Sequence, residues 1–291
     1  MAPRRLSILG VGLLGGSIGL AVKEALSGCE VVGYGHRAST LDEALRMGAI
    51  DRSAATASEA VKGADFVVLC TPVGLFPTIL REIGPALAPG ALVTDVGSTK
   101  RSIVAAAEQT LPAGVHFVGS HPMAGSEKRG VQFATADLFQ DAVCITTPTP
   151  ATSPEALGKT EEFWGRLGME VYRLSPEEHD RRLADISHLP HALAAALVAM
   201  QDDASLRLVG KGFVDVTRIA AGDGGLWRDI LVDNRDNLRD SIGRLQQHLD
   251  TLISRLDAAD AEGVKDWLDT AAARRQALAM GRPIDPGNPG R

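Results

Sequence analysis

Leu6-Ser-Ile-Leu9 is a short apolar run, Gly10-Val-Gly-Leu-Leu-Gly15 follows it directly, and Gly16 to Leu26 then has helical spacing. A GxGxxG alone is a weak signal. Strand, glycine loop and helix in immediate succession constrain the chain far more, because they form the first turn of a βαβ unit. The glycines permit the tight turn and let the backbone approach a pyrophosphate, and the first N–H groups of the helix point toward an anion. Gly10, Gly12, Leu13, Leu14 and Gly15 are therefore candidate cofactor contacts. A tight strand–helix turn that holds no ligand is the alternative.

A second strand, Glu30 to Tyr34, ends where the choice of dinucleotide is read. An NAD site usually places an acidic residue there to accept bonds from the ribose diol. Here Gly35 stands in that place, followed by His36, Arg37, Ala38, Ser39 and Thr40. A guanidinium and hydroxyls suit a 2′-phosphate, and a carboxylate would repel it. NADP is the expected cofactor, with His36, Arg37 and Ser39 around the phosphate. NAD is the alternative, with Arg37 as a solvated loop charge.

The α/β rhythm continues. Strands are expected at Ala64–Cys70, Ala91–Asp95, Val115–Val118, Ala142–Thr146 and Met169–Leu174, with helices between most of them. Ligands of open α/β sheets bind at the C-terminal ends of the strands. The glycine loop, the Gly35–Thr40 segment, Thr71-Pro72-Val73, Ser98 and His121 all fall at such ends. His121 is expected in an exposed turn that breaks from its strand at Gly119, with Pro122 stiffening the backbone behind it. A histidine held there is a candidate acid or base. A turn histidine bonded to backbone is the plainer reading, and Glu127 and Lys128 nearby favour chemistry.

From Ser175 onward no strand is expected. Ser175, Pro176 and the acids after them make a helix start. That helix carries Ile186-Ser-His-Leu-Pro-His191, where His188 and His191 share a face and Pro190 should kink the helix beside them. The pair reads as a pocket wall, as satisfied core histidines, or as a metal pair that lacks a third ligand. Asp215 and Arg218 either pair with each other, or Arg218 clamps a substrate carboxylate. Trp227 opens a long amphipathic helix through Leu256. So many apolar helical faces on a short segment predict a homodimer. The expected organisation is α/β: an N-terminal Rossmann-type parallel-sheet domain over 1–174, an all-α dimerisation and pocket domain over 175–280, and a disordered tail over 281–291.

Composition excludes other classes. With 30 basic and 36 acidic residues the net charge is −6, which argues against a nucleic-acid binder. Cys29, Cys70 and Cys144 form no CxxC pair and read as core residues of a reduced compartment, so no metal site is expected. No apolar run is long enough for a signal peptide or a membrane span. A soluble, cytoplasmic protein is the expectation.

GVGLLGGSIG from Gly10, DVGSTK from Asp95, GSHPMAGSEKRG from Gly119, SHLPH from Ser187, and DVTRIA with WRD between Asp215 and Asp229 occur in that order. Together they resemble the prephenate/arogenate dehydrogenase family of tyrosine biosynthesis, over about residues 5 to 260. The resemblance implies oxidative decarboxylation of prephenate to 4-hydroxyphenylpyruvate, or of arogenate to tyrosine. It implies that His121 accepts a hydrogen bond from the substrate's 4-hydroxyl, that Ser98 helps to hold that hydroxyl, and that Arg218 receives a carboxylate. His191 and His188 would line the pocket, Glu127 would gate or orient, and Asp215 and Trp227 would support the pocket or the dimer contact. Gly35 departs from the family's usual acid, which puts NAD in question. The length leaves no room for a chorismate mutase or appended regulatory domain, so any feedback by tyrosine is expected at the active site itself.

Two rivals stand beside this. A two-domain dehydrogenase of the β-hydroxyacid type typically depends on a lysine in the helical half, where Lys211 is the only lysine between Ser175 and Gly263. A non-catalytic NAD(P)-sensing dimer would need the glycine loop but not Ser98, His121 and Arg218 together.

Overall fold

The computed structural model describes residues 3–125 and 128–279. Glu127 and the 281–291 tail lie outside the described residues.

Eight strands form one sheet: β1 (Arg5–Leu9), β2 (Glu30–Tyr34), β3 (Arg52–Ser53), β4 (Phe66–Leu69), β5 (Leu92–Asp95), β6 (His116–Pro122), β7 (Val143–Thr147) and β8 (Glu170–Arg173). Their order is β3-β2-β1-β4-β5-β6-β7-β8. Helices α1 (Leu13–Ala25), α2 (Ala38–Arg46), α3 (Ala57–Val61), α4 (Phe76–Ile83), α5 (Arg101–Thr110) and α6 (Pro154–Arg166) connect them. Leu6, Ile8, Val67, Val68 and Leu69 are wholly buried, as strands covered on both faces must be. One face packs Leu6, Ile8 and Val68 with Ile18 of α1 and Phe163 and Trp164 of α6. The other packs Leu9, Val67 and Leu69 with Phe76 and Ile79 of α4 and Ile103 of α5.

The strand order reverses between β1 and β4, which is where open α/β sheets leave a crevice. The loops after these two strands abut. A Cβ on Gly10, whose φ is +108°, would lie 2.7 Å from the Cys70 carbonyl oxygen.

Three details differ from the sequence-based expectation. β3 has only two exposed residues, too short to show an apolar pattern. The sheet is parallel except between β6 and β7, which pair antiparallel from Gly119↔Thr147 to Pro122↔Cys144. This pairing also corrects the picture of His121. β6 leaves its parallel partner β5 after Val118 and continues through Gly119 on β7. His121 is thus a buried strand residue, 8 % exposed, and not an exposed turn residue.

After β8, the described residues carry only helix: α7 (Pro176–Leu183), α8 (Leu189–Ala199), α9 (Asp203–Leu206), α10 (Lys211–Thr217), α11 (Gly224–Asp233), α12 (Arg235–Asp257) and α13 (Ala261–Ala279). Ser175 caps α7 by accepting a bond from the Glu178 N–H at 3.1 Å. The irregularity expected at Pro190 takes the form of a π-turn over Ala184–His188 that links α7 to α8. The Leu189 N–H reaches back five residues to the Ala184 carbonyl, and Pro190 has no N–H to offer Ile186. The long helix expected from Trp227 to Leu256 is divided at Asn234 into α11 and α12. Asn234 is fully buried, and its amide bonds elsewhere in the fold.

Strands cease at Ser175, but by contacts the compact units are Met1–Leu238 and Arg239–Arg291. The second unit holds α12 from Arg239 onward and α13, where Leu249, Ile253, Leu256 and Leu268 are exposed. Cys29, Cys70 and Cys144 are free thiols. Among the described residues, no helix is long and apolar enough to cross a membrane.

Candidate active site

A line of buried polar side chains begins at His121 on β6. His121 Nδ1 lies 2.9 Å from His179 Nε2, and His179 Nδ1 lies 2.8 Å from Asp180 Oδ1. Asp180 also caps α5, accepting from the Lys100 N–H at 2.8 Å and the Arg101 N–H at 2.9 Å. Burial works to raise the Asp180 carboxyl, but the bonds from His179 and from these backbone groups hold it below the ordinary carboxylate range. An ionised carboxylate only accepts, so His179 Nδ1 carries the proton and Nε2 is a lone pair. His121 Nδ1 then donates to that lone pair, and its own Nε2 is an acceptor. Burial depresses the His121 pKa well below the ordinary value, and the neighbouring His179, Lys100 and His188 add to this. The ring is neutral at physiological pH.

Beneath this line, Lys100 and Asp95 form an ion pair with both side chains fully buried. Asp95 also accepts from the Ser120 N–H at 3.0 Å and the Gly97 N–H at 2.8 Å. These bonds fix the end of β6 and the loop that carries Ser98, which is half-buried.

The helical side closes over the same line. His188, in the π-turn, is fully buried, and its Nδ1 lies 3.1 Å from the Asn234 amide nitrogen. That nitrogen also donates to the Asp180 carbonyl at 2.7 Å. Burial lowers the His188 pKa to about 4. His191, one turn on, stacks on Trp227 with ring centroids 3.5 Å apart, and His188 meets Trp227 edge-on at 6.4 Å. His188 Nε2 and His191 Nδ1 are buried without a hydrogen-bond partner. Buried polar atoms without a protein partner are open to one from a ligand or from ordered water.

The structure therefore brings together His121, Ser98, His188, His191 and Trp227 of the expected residues. Arg218 and Asp215 are exposed, Asp215 on α10 and Arg218 at the start of a 3-10 turn (Arg218–Ala221) that packs against α8. Sequence reasoning missed His179, Asp180 and Asn234, left the role of Lys100 open and gave Asp95 none. His179 and Asp180 had read as part of a helix start that Ser175, Glu177 and Glu178 already explain. The surplus His-Asp pair was the one available signal.

At the other strand ends, α1 starts at Leu13 with no side-chain cap, so its first N–H groups are free for an anion. A Cβ on Gly15 would lie 2.2 Å from the Gly10 carbonyl oxygen, so only glycine closes this turn. Thr71 Oγ1, beside the loop, is buried and unpaired. His36, Arg37 and Ser39 are exposed just beyond β2, and Pro72 is exposed beyond β4. An uncapped helix start, a glycine-only turn and an orphaned hydroxyl at the switch point together fit a dinucleotide.

A family model described as the nucleotide-binding domain of prephenate dehydrogenase matches residues 18–173, and one described as its dimerization domain matches residues 175–270. The chain belongs to the prephenate dehydrogenase family. It is 36 % identical to a prephenate dehydrogenase of Bacillus subtilis over 280 residues, covering 94 % of this chain and 76 % of that one. It is 30 % identical to a cyclohexadienyl dehydrogenase of Zymomonas mobilis, covering 97 % and 99 %. The prephenate dehydrogenase of A. aeolicus, solved with hydroxyphenyl propionate and NAD+, superposes with a TM-score of 0.90 at 31 % identity, covering 96 % of this chain and 99 % of that one. Family membership sets aside the β-hydroxyacid rival.

Proposed function

We propose that the chain oxidatively decarboxylates prephenate to 4-hydroxyphenylpyruvate in tyrosine biosynthesis, with arogenate as the alternative substrate. The observation that carries the reading is the neutral His121 ring, whose Nδ1 is committed to His179 and whose Nε2 is an acceptor. Gly10, Gly12, Leu13, Leu14, Gly15, Thr71 and Pro72 would hold the dinucleotide, whose nicotinamide, when bound, would supply the hydride acceptor.

The chain's own residues orient and polarise. His121 Nε2 accepts the 4-hydroxyl hydrogen and draws electron density toward C4 as the hydride departs. Ser98 steadies the hydroxyl. The ring carboxylate leaves as CO2, its bonding electrons enter the ring, and the ring becomes aromatic. The hydroxyl proton stays with the phenol oxygen, so none is consumed. Arg218 receives a substrate carboxylate as a bidentate clamp. His188, His191 and Trp227 wall the pocket, Asp215 supports the pocket or the dimer contact, and Glu127 takes the gating or orienting role. What the protein contributes is orientation and charge, while the driving force lies in aromatisation.

For the cofactor, the absence of an acid at Gly35 and the presence of Arg37 favour NADP over NAD. For assembly, the exposed Leu249, Ile253, Leu256 and Leu268 suit a homodimer through the helical half. The division into a cofactor half and a helical half at Ser175 belongs to the same reading.

The test is steady-state turnover in a two-by-two grid of prephenate or arogenate with NAD or NADP. Activity with prephenate and release of 4-hydroxyphenylpyruvate supports the reading. A folded protein that binds cofactor but turns over neither substrate contradicts it.

A further inference from the structure

His179 does not belong to any motif that marks the family in this sequence, and it is fully buried. It cannot touch substrate. It touches His121 and Asp180, at 2.9 Å and 2.8 Å through its two ring nitrogens. We propose that His179, held by Asp180, is a positioning residue for the reaction: it fixes His121 as the Nδ1–H tautomer, so that Nε2 offers the lone pair to the substrate's hydroxyl. The inference rests on the reading of His121 as that hydroxyl's acceptor.

The order of donors and acceptors along the chain from Asp180 to His121 sets the tautomer. The Asp180 carboxylate accepts two backbone N–H bonds at the start of α5, so it is anchored before the histidines are considered. It can only accept from His179. A neutral imidazole that donates through Nδ1 must accept through Nε2, and among the described residues the ring atom paired with Nε2 is His121 Nδ1. A free neutral imidazole prefers its proton on Nε2. In that tautomer His121 would present an N–H to the substrate's hydroxyl oxygen and could not accept a hydrogen bond from it. The groups facing His179 are His121 from β6, Lys100 from the start of α5, Asp95 from β5 and His188 from the π-turn. Burial and the Lys100 charge keep His179 neutral, while Asp180 and Asp95 pull the other way. Asp180 thereby has two connected tasks, ending a helix and setting a tautomer.

The direct test is 15N NMR of the imidazoles in the full-length wild-type protein at pH 7.5, alongside kinetics of His179→Leu and His179→Gln. The expected wild-type pattern is a protonated Nδ1 and an unprotonated Nε2 on His121. His179→Leu should lower kcat about tenfold or more, with the substrate KM and cofactor Kd little changed. His179→Gln puts a carbonyl oxygen where Nε2 was, and should recover most of the lost kcat. A merely structural role would move the melting temperature of both variants and leave the tautomer alone. A wild-type His121 protonated at Nε2 would overturn the inference. So would a wild-type kcat in His179→Leu alongside a loss of turnover in His121→Asn, which leaves the His121 reading standing. A wild-type kcat in His121→Asn would instead sink that reading, and the 15N pattern still decides the tautomer. If His179→Leu does not fold, the wild-type spectrum and His179→Gln carry the test.

Discussion

The His191 imidazole lies flat on the Trp227 indole, with planes 12° apart. Gly222 makes this possible: a Cβ there would come within 2.6 Å of Trp227 Nε1 and 2.9 Å of His191 Cε1. The Gly222 φ of −62° suits any residue, so space and not backbone strain demands glycine. Gly222→Ala should push the two rings apart. An aromatic pair contributes about 0.5–1.5 kcal/mol, so kcat/KM should fall about two- to tenfold. Unchanged kcat/KM would place the stack outside the substrate pocket.

Lys100 and Asp95 are both wholly buried. Lys100→Met leaves a buried carboxylate without its counter-charge, which should cost about 3–5 kcal/mol in urea denaturation. Burial already pushes the Asp95 carboxyl up, with Lys100 the main charge opposing it. Without Lys100 the folded state holds the Asp95 proton more tightly than the unfolded state does. The loss should therefore shrink as pH falls. A variant as stable as the wild type at pH 8 would contradict the account.

His121, His179 and His188 are buried and held below their ordinary pKa, His188 at about 4. In the unfolded chain these groups take protons near pH 6.5. Between pH 6.5 and 4 the unfolded state therefore binds more protons than the folded one, and stability falls as pH falls. Urea midpoints at pH 7.5, 6 and 5 should decline in that order. His188→Gln should flatten the decline, and a flat wild-type profile would show that these rings are not buried as neutral groups.

A Cβ at Gly35 meets only Leu41 Cδ2 at 3.7 Å and the Val11 nitrogen at 4.0 Å, which is ordinary contact. The position has room for the first carbon of a side chain. Gly35→Asp should shift the ratio of kcat/KM for NADP over NAD toward NAD, through ribose bonding and repulsion of a 2′-phosphate. No shift would refute the reading of His36, Arg37 and Ser39.

The sequence carried the parts of this site that recur with regular spacing or sit at strand ends. The glycine loop, Ser98, His121 and the His188/His191 pair were visible because each stands beside a strong local signal. His179, Asp180 and Asn234 were not. Each occupies a helical position that local rules explain without chemistry: His179 and Asp180 in an acid-rich first turn, Asn234 in an apolar stripe. Their roles arise only when α7, α11 and β6 meet. The exposed turn assigned to His121 failed for a similar reason. Gly119 looks like a break until β7 arrives antiparallel to extend the strand.

The central claim is that a neutral His121 accepts the substrate's hydroxyl hydrogen. Steady-state turnover of prephenate by His121→Asn beside the wild type tests it most directly, with cofactor binding measured on the same samples. The predicted result is a fall in kcat of about 10² or more with the cofactor Kd unchanged. Turnover at the wild-type rate would contradict the account.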